Sequence, residues 1–176
     1  MNPYLPEVDP SLYIEPTVAW RKWLVDEEDG LLRSLYKDVV WLPMHKTEAH
    51  CYRDRGQLIA GGRCSTAPNP RCVCGIYAVK QEDEVHRFGR ARESLAAAAP
   101  SPRTLTVIGT VSLWGRIIET DRGYKAEYAY PYELHVIRDP GGFSSPSLAR
   151  LETATAQASR IAAQLRDNYA VDATWR

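Results

Sequence analysis

Residues 105–118 read LTVIGTVSLWGRII, and the period of that stretch decides the fold. Leu105, Val107, Val111, Leu113 and Ile117 alternate with Thr106, Thr110, Ser112 and Arg116. A two-residue period places the apolar set on one side of an extended chain, so the stretch is a long strand with one buried face. Gly109 and Gly115 fall among the apolar positions, where they predict bulges or a close approach of backbone. TDRG at 120–123 has turn composition, and YKAEYAY after it alternates again, with Tyr124, Ala126, Tyr128 and Tyr130 together. Residues 105–130 therefore predict an antiparallel hairpin. Pro131 is expected to end its second strand, leaving 133–138 as a separate strand.

Upstream, VAWRKWLV at 18–25 and LLRSLYKDVVW at 31–41 flank an acidic, glycine-ending DEEDG, the pattern of strand, turn and strand. CGIYAVK at 74–80 reads as a short core strand. Val85, Phe88, Arg92 and Leu95 lie at helical spacing behind acidic residues 82–84, predicting a helix over 82–96. Downstream, Ser145 as N-cap and Pro146 at the first helical position open a helix over 146–169. Leu148, Leu151, Ala154, Ala158, Ile161, Leu165 and Tyr169 form its apolar stripe. Residues 1–17 hold four prolines and read as an extended arm. Residues 18–176 then form a single α+β domain, its sheet mainly antiparallel, with two helices packed on it.

The charges balance, 22 basic against 22 acidic, so no broad electrostatic footprint for nucleic acid or an anionic membrane is expected. No apolar run reaches the roughly 18–20 residues of a membrane span. The N-terminus has no basic region leading into an apolar run, which predicts a cytoplasmic, reducing setting. Four cysteines in that setting favour a metal over disulfides.

Those four, Cys51, Cys64, Cys72 and Cys74, lie in a glycine- and proline-rich stretch too long to hold one shape without a constraint. Four thiolates suit a tetrahedral zinc ion with no open position, hence a structural site that staples the loop and fixes the start of the strand at 75–79. The C-x-C pair departs from the usual C-x2-C knuckle. His50, next to Cys51, is an alternative ligand, and His45 a weaker one. Free thiols packed as small apolar residues are the competing reading. A Cys72–Cys74 disulfide is disfavoured by strain.

CVCGIYA at 72–78, with VIGTVSLWGRIIETDRGYKAEYAYP at 107–131, AWRKW at 19–23 and EAHC at 48–51, resembles a set of small uncharacterised proteins of actinobacteria and their phages. The resemblance spans residues 19–137. It implies that Cys51, Cys72 and Cys74 act as a unit, with Cys64 where many members carry histidine. It carries no activity. A second, partial resemblance links GIYA and AEYAYPYEL to ADP-ribosyltransferase folds; it implies Tyr77 stacked on nicotinamide and Glu127 polarising a ribose. Paired carboxylates at Glu119 and Glu127, and lone His86 and His135, complete the groups considered for catalysis.

Trp114, Arg116, Tyr124, Tyr128 and Tyr130 crowd the central hairpin. Aromatic and arginine side chains dominate binding hot spots, so these five are the candidate surface for a protein partner. The expected function is a non-enzymatic, zinc-stabilised interaction protein, phage-encoded and acting on a host component. The alternatives are an ADP-ribosyltransferase-like or nucleotide-binding protein, and a structural accessory subunit.

Overall fold

In a computed structural model the two longest strands of the protein lie side by side, as the alternation requires. The structure describes residues 15–35, 39–51, 64–87, 104–138 and 147–176. The elements are β1 (Thr17–Asp26), β2 (Leu32–Ser34), β3 (Val40–Trp41), β4 (Thr47–Glu48), β5 (Ile76–Val79), α1 (Glu82–Val85), β6 (Thr104–Glu119), β7 (Gly123–Val136), α2 (Leu148–Tyr169) and β8 (Asp172–Trp175). The fold is α+β, with a mostly antiparallel sheet and two helices.

β6 is the central strand. One of its edges runs antiparallel along β1, from Thr17↔Leu113 to Asp26↔Thr104, and the other along β7. The far edge of β7 takes β5, β4 and β8 in turn. The far edge of β1 takes β2 and, at Trp20↔Val79, β5. The pairing β1–β6–β7–β5 thus returns to β1, and the sheet curls around its own core. Val107, Val111 and Leu113 of β6 are fully buried there with Trp23, Val25, Ala129, Leu134 and Val136. Each large side chain so buried stabilises the fold by roughly 1.5–3 kcal/mol. Trp23 and Trp41 meet edge to face, with ring centroids 5.4 Å apart.

Both glycines of the decisive stretch sit where the period placed them. A Cβ at Gly109 would lie 2.0 Å from the Glu133 carbonyl oxygen, so only glycine lets β7 approach. Gly115 has φ +74° and opens a bulge, one extra β6 residue between the Trp114↔Tyr128 and Ile117↔Ala126 pairs. Pro131 does not end its strand. β7 runs through it to Val136, because a second register shift, between Val111↔Pro131 and Thr110↔Glu133, accommodates a residue with no N–H to give.

The long helix starts two residues later than expected. Ser147 is its N-cap, accepting from the Arg150 amide at 3.4 Å; Ser145 and Pro146 lie outside the described residues. Ala154, Ala158, Ile161, Ala162, Leu165 and Tyr169 are buried, while Leu148, expected in the stripe, is exposed at the first turn. The alanines let the helix settle closely on the sheet. Tyr169 pins its far end: its hydroxyl donates to the Trp41 carbonyl at 2.5 Å and accepts from the Leu32 amide at 2.9 Å. The chain then leaves through Ala170, left-handed at φ 52°, into β8, which lies parallel to β7. A strand, a crossover helix and a second strand make a parallel pair.

The helix expected over 82–96 is described only as α1. Its Val85 packs with Val79 and Ile108, and residues 88–96 lie outside the described residues, as do 1–14 of the arm and 52–63 of the cysteine loop. The stretch 31–41 is two short strands, β2 and β3, paired with each other. Among the described residues no helix is long and apolar enough to cross a membrane.

Candidate metal centre

The three segments that carry the cysteines leave the sheet at one corner. Cys51 follows β4, Cys72 and Cys74 lead into β5, and Cys64 opens the irregular stretch between them. β4 and β5 both pair with the first half of β7, so that strand brings the ends of the loop together. The sulfurs of Cys51, Cys64, Cys72 and Cys74 all lie within 4.8 Å of one another, and Cys51 and Cys72 are 3.9 Å apart. A tetrahedral thiolate site with metal–sulfur bonds near 2.3 Å has edges of about 3.8 Å. The four residues therefore fit one small cation with little movement. None is in a disulfide. Cys72 and Cys74 are buried; Cys51 and Cys64 are half-buried. His50 is exposed and stands outside the four; His45 is exposed, with Nδ1 2.8 Å from the Pro43 carbonyl oxygen.

Local chemistry shapes the turn that holds Cys72 and Cys74. Asn69 organises it, its side chain accepting from the Arg71 amide at 2.9 Å and its carbonyl from the Cys72 amide at 3.1 Å. Gly75 ends it at φ +132°, a conformation side chains rarely adopt. The β7 residue Lys125 anchors it from beneath. Its side chain is buried, and its ammonium donates to the carbonyls of Cys72 at 3.0 Å and Asn69 at 3.3 Å. Arg116 reaches across from the β6 bulge to Thr66 Oγ1 at 2.6 Å. Two cations thus border a place where four thiolates would gather.

Crowding sets the protonation of the four. Hydrogen bonding to Cys72, then burial, pushes the Cys64 thiol up to about 12. Burial raises Cys74, while the Cys74 amide, hydrogen-bonded to Cys72, lowers that thiol. Four neighbouring sulfurs do not shed their protons together unless a cation takes the protons' place.

The candidate partner residues divide into groups. Trp114 and Tyr128 face each other across β6 and β7, rings 6.2 Å apart, with the Lys46 ammonium 3.5 Å from the Tyr128 ring centroid. Arg116 is exposed on the adjoining bulge. Tyr130, next along β7 and opposite Ser112, has its hydroxyl committed: it accepts from the Met44 amide at 2.9 Å and donates to the Tyr169 carbonyl at 3.0 Å. Tyr124 stands apart, beyond the bulge opposite Glu119, under the Lys80 ammonium. Lys46 carries no signal in the sequence. Lys125, with Arg116 and Arg122 near the hairpin tip, is expected to meet an anion; its ammonium is instead buried on the Cys72 and Asn69 carbonyls. Lys125, in an aromatic alternation, gave no hint that it was buried.

The residues expected of a transferase are occupied otherwise. The Tyr77 hydroxyl donates to the Val73 carbonyl at 2.7 Å, and Glu127 Oε2 accepts from the Arg116 amide at 3.0 Å. That amide bond holds the Glu127 carboxyl below its usual range. Glu119 pairs with Lys80 at 2.6 Å. No protein-family model, curated protein or solved structure matches the chain, so the resemblance to actinobacterial and phage proteins rests on the motif residues alone.

Proposed function

We propose that the chain is a zinc-stapled, non-catalytic binding protein. The observation that carries the metal reading is the convergence of four sulfurs within 4.8 Å. An all-sulfur donor set selects a soft or borderline ion, and its tetrahedral spacing suits zinc. With every ligand supplied by the chain, no position remains for water or substrate, so the ion is structural. The protein binds its partner, a protein, through the face where Trp114 and Tyr128 meet, bordered by Lys46 and Arg116 and by exposed Leu42, Met44 and Val18. Val18 belongs to this face because it lies opposite Ser112, two residues from Trp114 along β6 and so on the same side of the strand.

Elemental analysis of protein purified without added metal tests the first half: about one zinc per chain is expected, and iron, or no metal, refutes it. For the second half, affinity capture is run with the intact protein and with Trp114→Ala and Tyr128→Ala variants whose circular dichroism is unchanged. A partner lost with both substitutions supports the assignment of the face. Recovery of the same partner at the same level excludes it.

A further inference from the structure

The far edge of β1 is paired to β5 at Trp20 and to β2 from Trp23 to Val25. Neither strand pairs with residues 21 and 22, so β2 and β5 part there and leave a notch. The guanidinium of Arg21 fills it. One terminal nitrogen donates to the Tyr77 carbonyl of β5 and the other to Ser34 Oγ of β2 at 3.2 Å. Two indoles wall the notch, Trp41 with its ring centroid 5.0 Å from the guanidinium carbon and Trp23 at 5.9 Å.

Two features there are unresolved by the protein's own groups. First, Arg21 makes no ion pair with any carboxylate among the described residues, although Asp29, Glu84, Glu82, Glu27 and Glu119 each neutralise another arginine or lysine. Second, among the described residues two buried donors have no acceptor: Nε of the Arg21 guanidinium itself, and Nε1 of Trp23, whose ring centroid lies 5.9 Å from the guanidinium carbon. A buried charge is costly unless paired. Donors gathered with no acceptor, around a cation with no anion, define what is missing: a group with negative oxygens. Arg21 is only half-buried, and Tyr77 at its mouth is exposed, so solvent reaches part of the arginine side chain, though not Nε. Burial also draws the Arg21 pKa down to about 10, the direction an unneutralised cation takes.

We propose that the Arg21 notch binds an oxyanion group, a phosphate or a carboxylate, held by charge-assisted hydrogen bonds from the guanidinium between Trp23 and Trp41. The proposal stands independently of the metal centre.

The indoles make the site report on itself. Sodium phosphate and sodium acetate are each titrated into the full chain, with sodium chloride at matched ionic strength as reference, while tryptophan emission and thermal midpoint are followed. A saturable emission change with a rising midpoint is expected from one or both anions and not from chloride. A response to phosphate alone assigns a phosphate-bearing ligand; a response to acetate alone assigns a carboxylate. Arg21→Met should weaken the response by about tenfold or more, the worth of a charge-assisted bond. Arg21→Lys, which keeps the charge and loses the planar fork, is the second variant should Arg21→Met not fold, and should bind more weakly than the parent protein. Changes no greater than those with chloride, or an undiminished response in the folded variants, overturn the proposal.

Discussion

Removing the proposed zinc should cost the protein the cross-link between Cys51 and Cys74, and the size of that cost follows from chain length. Cys51 and Cys74 bound the loop, so a cross-link at one point closes 24 residues. The chain-entropy relation for a cross-link of that span gives about 3.4 kcal/mol. A protein of 176 residues loses roughly 2–4 °C of thermal midpoint per kcal/mol, so the expected drop is about 7–14 °C. The assay is thermal unfolding by circular dichroism with and without a zinc chelator, followed by re-addition of zinc. Cys64→Ser and Cys72→Ser are run in parallel. Cys72 is buried, so its serine variant carries a further penalty of about 1–3 kcal/mol for the hydroxyl. Half-buried Cys64 avoids most of that penalty. The decisive quantity is therefore the chelator response: the parent protein should lose stability and regain it with zinc, while both variants should ignore the chelator. Equal midpoints for the parent with and without chelator would refute the reasoning, because they would mean that the sulfurs converge through packing alone.

Three further outcomes test the frame around the site. Lys125→Met keeps the aliphatic stem but strands the carbonyls of Cys72 and Asn69, so it should destabilise the fold by about 2–4 kcal/mol and loosen zinc retention in a competition with a colorimetric chelator; unchanged retention would deny Lys125 its part in the turn. Tyr169→Phe leaves the Leu32 amide and the Trp41 carbonyl unpartnered, for about 2–4 kcal/mol by urea unfolding. Burial raises the Tyr169 pKa from 10 to about 12, so the folded state favours the protonated phenol: that contribution is complete below pH 10 and is lost between pH 10 and 12, a decline the phenylalanine variant should lack. Gly109→Ala forces β6 and β7 apart against the Glu133 carbonyl and should cost about 3 kcal/mol or more; a variant as stable as the parent protein would show that the strands yield there without cost.

Much of this architecture was legible because strand period and glycine placement are local properties. The alternation of 105–118 places its buried face without knowledge of any partner, and Gly109 and Gly115 in that face announce a close approach and a bulge. Cys51, Cys64, Cys72 and Cys74 were legible as a group because loop composition and thiol chemistry both called for a constraint. The failures share a cause. Pro131 forbids a ladder hydrogen bond, yet whether that ends a strand depends on how β7 pairs with β6, which here takes up one extra β7 residue between Pro131 and Glu133. Leu148 fits the helical stripe by spacing but is exposed at the first turn, where spacing alone does not say what will cover it. β8 has one buried residue, Ala173, in a four-residue strand, too little pattern to see before α2 delivers it to β7.

Residue order alone shows which residues want burial, which segments are extended, and that four thiols need a common purpose. Only strand pairing puts β4 and β5 on neighbouring stretches of β7, so that the thiols meet, and parts β2 from β5 at Arg21, so that a half-buried cation has no carboxylate beside it among the described residues. Backbone preference acts within a few residues. Bringing side chains together across tens of residues depends on strand pairing, and pairing is chosen by the whole core at once.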